Sequence, residues 1–188
     1  MTGAVVIVVL GLLILGCIFY GVSIYNGLVT VKNNIDKSWS NVEVLLKQRH
    51  DELPKLVKVC ERYMKHERET LERVIRARNF SESASTPEER GKADGMVAEA
   101  LKSLFAVAER YPELKADEQF SHLQERISRL ENEIADRREL YNESVNIYNI
   151  RIERIPDVFI ARAMGFEKRP LWHAPASDLK DVEITFSS

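Results

Sequence analysis

The sequence predicts an all-α protein. An N-terminal transmembrane helix continues into an up-and-down four-helix bundle. Three observations carry that expectation. No charged residue occurs from Gly3 to Ile24 (GAVVIVVLGLLILGCIFYGVSI). Apolar residues after it recur at steps of three and four, the period of a helix buried along one face. Charged residues reach 30% of a 188-residue chain that holds only 8 Gly and 6 Pro, a balance that favours helix over sheet.

The first element is the apolar run. At ~1.5 Å per residue it spans roughly 33 Å, enough for a bilayer core of ~30 Å. Only Met1 and Thr2 precede it, so the basic start of a cleaved signal is missing. Ile14-Leu15-Gly16-Cys17 resembles a lipobox, but the run continues through Ile18, Phe19, Tyr20 and Val22. A retained membrane helix is the reading that fits. Basic residues follow it at Lys32, Lys37, Lys47 and Arg49, and none precedes it. The positive-inside rule then places the N-terminus outside and the bulk of the chain in the cytoplasm. Cys60 is the one thiol beyond the run, which excludes a disulfide within the following domain and suits a reducing compartment.

Past Tyr25-Asn26-Gly27, the stripe Leu28, Val31, Ile35, Trp39, Val42, Leu46 marks the first helix of the domain. Gly27 is its only interior breaker, and a single glycine costs only about 1 kcal/mol, so membrane helix and first helix read as continuous. Asp51-Glu52-Leu53-Pro54 interrupts the pattern. Proline belongs in a first turn and Asp51 is a suitable cap, so a turn between two antiparallel helices is favoured. One long kinked helix is the other reading, because the stripe keeps its phase across Pro54. On the favoured reading the second helix runs from Leu53 to about Arg78.

Asn79 to Pro87 is a loop by composition. Thr86-Pro87-Glu88-Glu89 has the form of a capping box with proline at the first helical position. The third helix carries Val97, Ala100, Leu101, Leu104, Ala108 and Tyr111 and ends at Pro112. A long fourth helix starts at Asp117 and carries Phe120, Leu123, Ile127, Leu130, Ile134, Tyr141, Val145, Tyr148, Ile152 and Ile155. Pro156 breaks it, and one or two further turns close on Gly165 as a C-cap. The domains expected are a membrane helix (residues 1–26), a helical bundle (27–166), and an extended, poorly ordered tail (167–188).

Three stretches together are specific. They are YNGLVTVKNNIDKSWSNVEVLLKQRHDELPKLVKVCERYMKHE (Tyr25–Glu67), AVAERYPELKADEQFSHLQ (Ala106–Gln124) and ENEIADRRELYNESVNIYNIRIERIPDVFIARAMGF (Glu131–Phe166). In these the chain resembles the LemA family of bacterial membrane proteins. The resemblance implies a single-pass protein whose bundle has a bromodomain-like up-and-down topology. It implies no established chemistry. The departures lie after Phe166.

Among candidate sites, the Tyr-Asn pairs stand out: Tyr25-Asn26, Tyr141-Asn142 and Tyr148-Asn149, with Asn146 between. On the fourth helix they form adjacent rows. A buried asparagine row fixes register or oligomer state. A solvated helix edge is the plain alternative. Arg151, Arg154 and Arg162 form a candidate lipid-facing basic cluster, provided the fourth helix returns to the membrane. That follows if Pro54 marks a turn; if it is only a kink, the cluster points into the cytosol. His50, beside Asp51 and Glu52, has no second histidine at helical spacing, so a polar turn is the preferred reading. The 27 basic and 29 acidic residues nearly cancel, leaving no field for nucleic acid. Phosphate-loop, HExxH, GxSxG and CxxC patterns are missing, so no cofactor, metal or catalytic residue is expected. The function expected is a non-catalytic, self-associating scaffold at the bacterial inner membrane, with lipid, a second copy and an unidentified protein as partners. The alternative is an accessory subunit of a membrane enzyme or signalling system, docking through its C-terminal tail and Trp172.

Overall fold

The computed structural model describes residues 2–172. Over that range the chain is all-helical: α1 (Thr2–Tyr63), α2 (Arg68–Ser83), α3 (Pro87–Ala108), α4 (Pro112–Lys115), α5 (Glu118–Glu153) and α6 (Asp157–Ala163). No strand occurs among the described residues. The apolar run forms the first part of α1, is long and apolar enough to cross a membrane, and has none of its most hydrophobic window buried. A helix satisfies every backbone polar group internally, the condition for crossing a hydrocarbon layer.

The favoured turn at Pro54 is not formed. The helix that starts in the apolar run passes through Pro54 and ends at Tyr63. The reversal falls instead at Met64–Glu67, where Glu67 N–H donates to the Met64 carbonyl at 3.0 Å. Proline removes the amide that would donate to the carbonyl four residues back, which here belongs to His50. That carbonyl accepts instead from Arg78 Nε at 3.3 Å. A side chain from α2 therefore supplies the donor that Pro54 lacks. Sequence pattern could not reveal this, because the partner lies on another helix. Asn79–Ser83, expected as loop, complete α2.

Other expected boundaries are formed. Thr86 Oγ1 accepts from Glu89 N–H at 3.1 Å, and Glu89 Oε2 accepts from Thr86 N–H at 3.1 Å, closing the capping box of α3. The Ser85 N–H, donating to Glu89 Oε2 at 2.9 Å, and then the Thr86 N–H hold the Glu89 carboxyl below its usual range. Asp117 caps α5 by accepting from Phe120 N–H at 3.1 Å. At the end of α6, Phe166 N–H donates to Ala161 O and Gly165 N–H to Arg162 O, with Gly165 at φ +69. This is a Schellman motif, and Gly165 takes the left-handed position that other residues avoid. The third expected helix stops earlier than read, at Ala108, and Pro112 opens the separate α4.

The described residues divide into two compact units, one of residues 2–40 with Leu140–Pro170, the other of Asn41–Glu139 with Leu171 and Trp172. In the first, Ile24, Leu28 and Ile35 of α1 and Tyr141, Val145, Tyr148 and Ile152 of α5 are buried. In the second, the core includes Leu56, Cys60, Met64, Val74, Leu104 and Ile127. Phe105 and Phe120 meet edge to face there at 6.5 Å. Burial pushes the Cys60 thiol up to about 12, so it is an inert core residue.

The Arg78 substitution for a backbone donor can be tested by a double-mutant cycle. Arg78→Met is expected to lower unfolding stability by about 1 kcal/mol, the net worth of one hydrogen bond. In a Pro54→Ala background, where the amide donor is restored, most of that cost should vanish. Equal costs in both backgrounds, measured by chemical denaturation, would remove Arg78 from this role.

Candidate functional site

Within the first unit, α1 and the end of α5 lie antiparallel. Ser38 and Ser144 hydroxyls meet at 3.2 Å. Trp39 and Tyr141 rings lie 5.3 Å apart. Further along, the Arg151 guanidinium donates to the Gly27 carbonyl at 3.1 Å and to Asp157 Oδ2 at 2.8 Å. A methyl group on Gly27 would fall 2.9 Å from the guanidinium carbon. Gly27 thus has a packing reason. It lets the half-buried Arg151 guanidinium reach the α1 backbone while the same charge neutralises Asp157, whose side chain is only 6% exposed.

The Tyr-Asn residues converge on the segment after α6. Tyr148 Oη donates to Glu167 O at 2.9 Å, and Tyr141 Oη to Pro170 O at 3.2 Å. Asn149 is reciprocal with Arg169, donating to its carbonyl and accepting its N–H, both at 2.9 Å. Burial raises both phenol pKa values, so both keep the proton they donate. Tyr25 meets Phe166 edge to face at 6.0 Å, and Lys32 lies 5.8 Å from the centre of the same ring. Asn142 is half-buried, whereas Asn26 and Asn146 are exposed. Residues 167–170 are therefore tied down along α5, and Phe166 packs against α1. The remainder of the expected tail beyond Trp172 lies outside the described residues.

The basic cluster divides. Arg151 is turned inward as above. Arg154 and Arg162 are exposed, with Arg154 also 4.0 Å from Asp157. The antiparallel pairing brings this end of α5 beside Tyr25 and Gly27. The link between a kinked Pro54 and a cluster pointing away does not hold, because the reversal at Met64–Glu67 takes the place of a turn at Pro54.

A second constellation, in the second unit, is absent from the sequence reading. Arg49, 1% exposed, pairs with Asp94 at 2.8 Å and Glu131 at 2.7 Å. Asp94 also meets Arg138 at 3.0 Å. Asp94, Glu131 and Arg138 line a groove of about 580 Å³, together with Gly95, Glu99, Lys102 and Ser103. The signal was present as gaps. Arg49 fills the stripe between Leu46 and Leu53, and Arg138 fills it between Ile134 and Tyr141. A buried ion network is weak evidence of stability, and loss of one partner strands the others at several kcal/mol.

Near Pro54, His50 lies in the interior of α1, not in a turn. Burial, then the Arg78 charge, lowers its pKa. Among the described residues no group of three His, Cys, Asp or Glu side chains is placed to hold a metal ion.

The LemA family profile matches residues 38–186. The chain belongs to the LemA family. The match runs through the tail after Phe166, where a departure was expected, and it begins after the apolar run and Tyr25. This LemA protein is also similar to Magnetosome protein MamQ of Magnetospirillum gryphiswaldense, 25% identical with 82% of this chain and 66% of the relative covered. Magnetosome proteins MamQ 1 and MamQ 2 of Paramagnetospirillum magneticum are each 36% identical over 87 residues, 46% of this chain. The match spans about a third of those two relatives, 32% of their length.

The Gly27–Arg151 contact makes a prediction of unusual sign. Gly→Ala inside a helix ordinarily gains about 1 kcal/mol. Gly27→Ala should instead destabilise the detergent-solubilised protein, because it displaces Arg151 from Asp157. In an Arg151→Ala background the same change should stabilise. A gain in both backgrounds, read from thermal unfolding, would contradict the packing role.

Proposed function

We propose that this LemA protein is a membrane-anchored helical scaffold that self-associates in the plane of the bacterial inner membrane, without catalytic activity. The observation that carries the reading is an exposed apolar row on α5. Leu140, Ile147 and Ile150 are 45%, 49% and 55% exposed. Their spacing of seven and three is that of a coiled-coil seam. Asn146, also exposed, lies beside the row on the helix surface. A polar residue at the edge of an apolar seam selects register at some cost in stability, so Asn146 is the asparagine we assign to an interface with a second copy. Asn149 is occupied within its own chain.

The finer architecture we infer is an up-and-down bundle of the four long helices α1, α2, α3 and α5. The inferred topology has the N-terminus outside and the helical domain in the cytoplasm, on the strength of Lys32 and Lys37. For the accessory-subunit reading, Trp172 is 1% exposed, and the rest of its docking tail lies outside the described residues.

Native mass measurement of the detergent-extracted protein tests self-association. The wild-type chain should be oligomeric. Leu140→Ser with Ile147→Ser and Ile150→Ser should shift it to smaller species without loss of helix. An oligomer of unchanged size, or a monomeric wild type, would count against the scaffold.

A further inference from the structure

The segment from Ile155 to Met164 exposes three large apolar side chains in ten positions. Ile155, Phe159 and Met164 are 77%, 66% and 61% exposed. Its other side is packed. Asp157 and Ala161 are buried, and Ile160 Cδ1 lies 3.8 Å from where a Gly21 Cβ would stand. Gly21 lies within the apolar run, three residues before its end at Ile24. At ~1.5 Å per residue that is about 5 Å below the edge of the apolar segment.

We propose that α6 and its flanks form a second membrane contact, inserted at the interface beside the anchor, with Ile155, Phe159 and Met164 in the acyl boundary. The partner is the phospholipid bilayer. Continuity with the anchor carries the assignment. A segment touching α1 at Gly21 is at membrane depth once the anchor spans, and interfacial helices bury their apolar face by ~5–10 Å. The surroundings have interfacial chemistry. Tyr20 and Tyr25 are exposed on α1 at this level, as aromatic residues are at membrane boundaries. Arg154, Arg162 and Arg169 are exposed and suit anionic headgroups. The nearby acids are largely answered within the chain: Asp157 by Arg151 and Glu153 by Lys168 at 2.7 Å, with Glu167 left exposed. Arg151, held on Gly27 and Asp157, positions α6 and does not contact lipid.

The inference rests on the anchor crossing a bilayer, and the test separates the two. Single cysteines are introduced by Phe159→Cys, Ile155→Cys, Leu12→Cys and Glu143→Cys in a Cys17→Ser chain, where the buried Cys60 stays unreactive. Each full-length variant is spin-labelled and reconstituted in vesicles of equal phosphatidylcholine and phosphatidylglycerol. Collision rates with oxygen and with a water-soluble nickel chelate are then compared. Labels at Leu12, Phe159 and Ile155 should prefer oxygen, and the label at Glu143 should prefer nickel. Nickel preference at Phe159 and Ile155, with oxygen preference at Leu12, would overturn the α6 contact and leave the anchor intact. Nickel preference at Leu12 as well would remove the anchor and the contact together. Ile155 and Phe159 are both exposed, so labelling leaves the packed side undisturbed.

Discussion

Every backbone amide and carbonyl of α1 must find a partner, and the rest of the structure depends on how that constraint is met. Within a hydrocarbon layer water would be unavailable to the apolar run, and a helix satisfies the chain there. The helix does not stop where the apolar run stops. Gly27 costs too little to break it, and Pro54, which removes a donor outright, is compensated by Arg78. The result is a single element from Thr2 to Tyr63, roughly 93 Å long at ~1.5 Å per residue. A hinge at residue 27 or 54 would have left the anchor a passive tether.

Charge is handled the same way in both units: a buried ion, Asp157 in one and Arg49 with Asp94 in the other, is answered by specific partners. Arg151 joins the Gly27 carbonyl to Asp157, and Arg49 joins Asp94 to Glu131. Neither network is a strong source of stability, because desolvation offsets most of the Coulombic gain. What such networks supply is uniqueness. An apolar stripe tolerates a slip of one turn, whereas a buried guanidinium displaced by one turn loses both acceptors. The Tyr141, Tyr148 and Asn149 bonds add a further fixed register, holding residues 167–170 along α5.

Much of the helical pattern was legible in the residues. The 3/4 stripes located the buried faces of α1, α3 and α5. Thr86, Asp117 and Gly165 marked ends because their capping chemistry is local. What could not be read was every feature whose cause lies far along the chain. Pro54 resembled a helix start because its missing bond is repaired by a side chain on α2, 24 residues away. Arg49 and Arg138 left gaps in otherwise regular stripes, and a gap says only that the apolar rule is broken, not which carboxylate answers it. Arg151 resembled a surface charge because nothing local indicates that Gly27 makes room for it. The Tyr-Asn pairs were recognisable as polar residues in a buried pattern, but their partners on residues 167–170 are backbone atoms, which carry no sequence signature.

The membrane role follows from the element that was most legible, and the proposed scaffold from the α5 row that the packing leaves uncovered. The central feature is that α1 is one helix from Thr2 to Tyr63. The most direct measurement is a pulsed electron spin resonance distance between labels introduced by Asn41→Cys and Glu61→Cys in a Cys17→Ser chain. Both positions are exposed and lie in the same unit. An unbroken helix through Pro54 places their backbones about 30 Å apart. A distance near 10 Å, the spacing of two packed antiparallel helices, would mean that the chain turns at Asp51–Pro54 and that the anchor helix ends there.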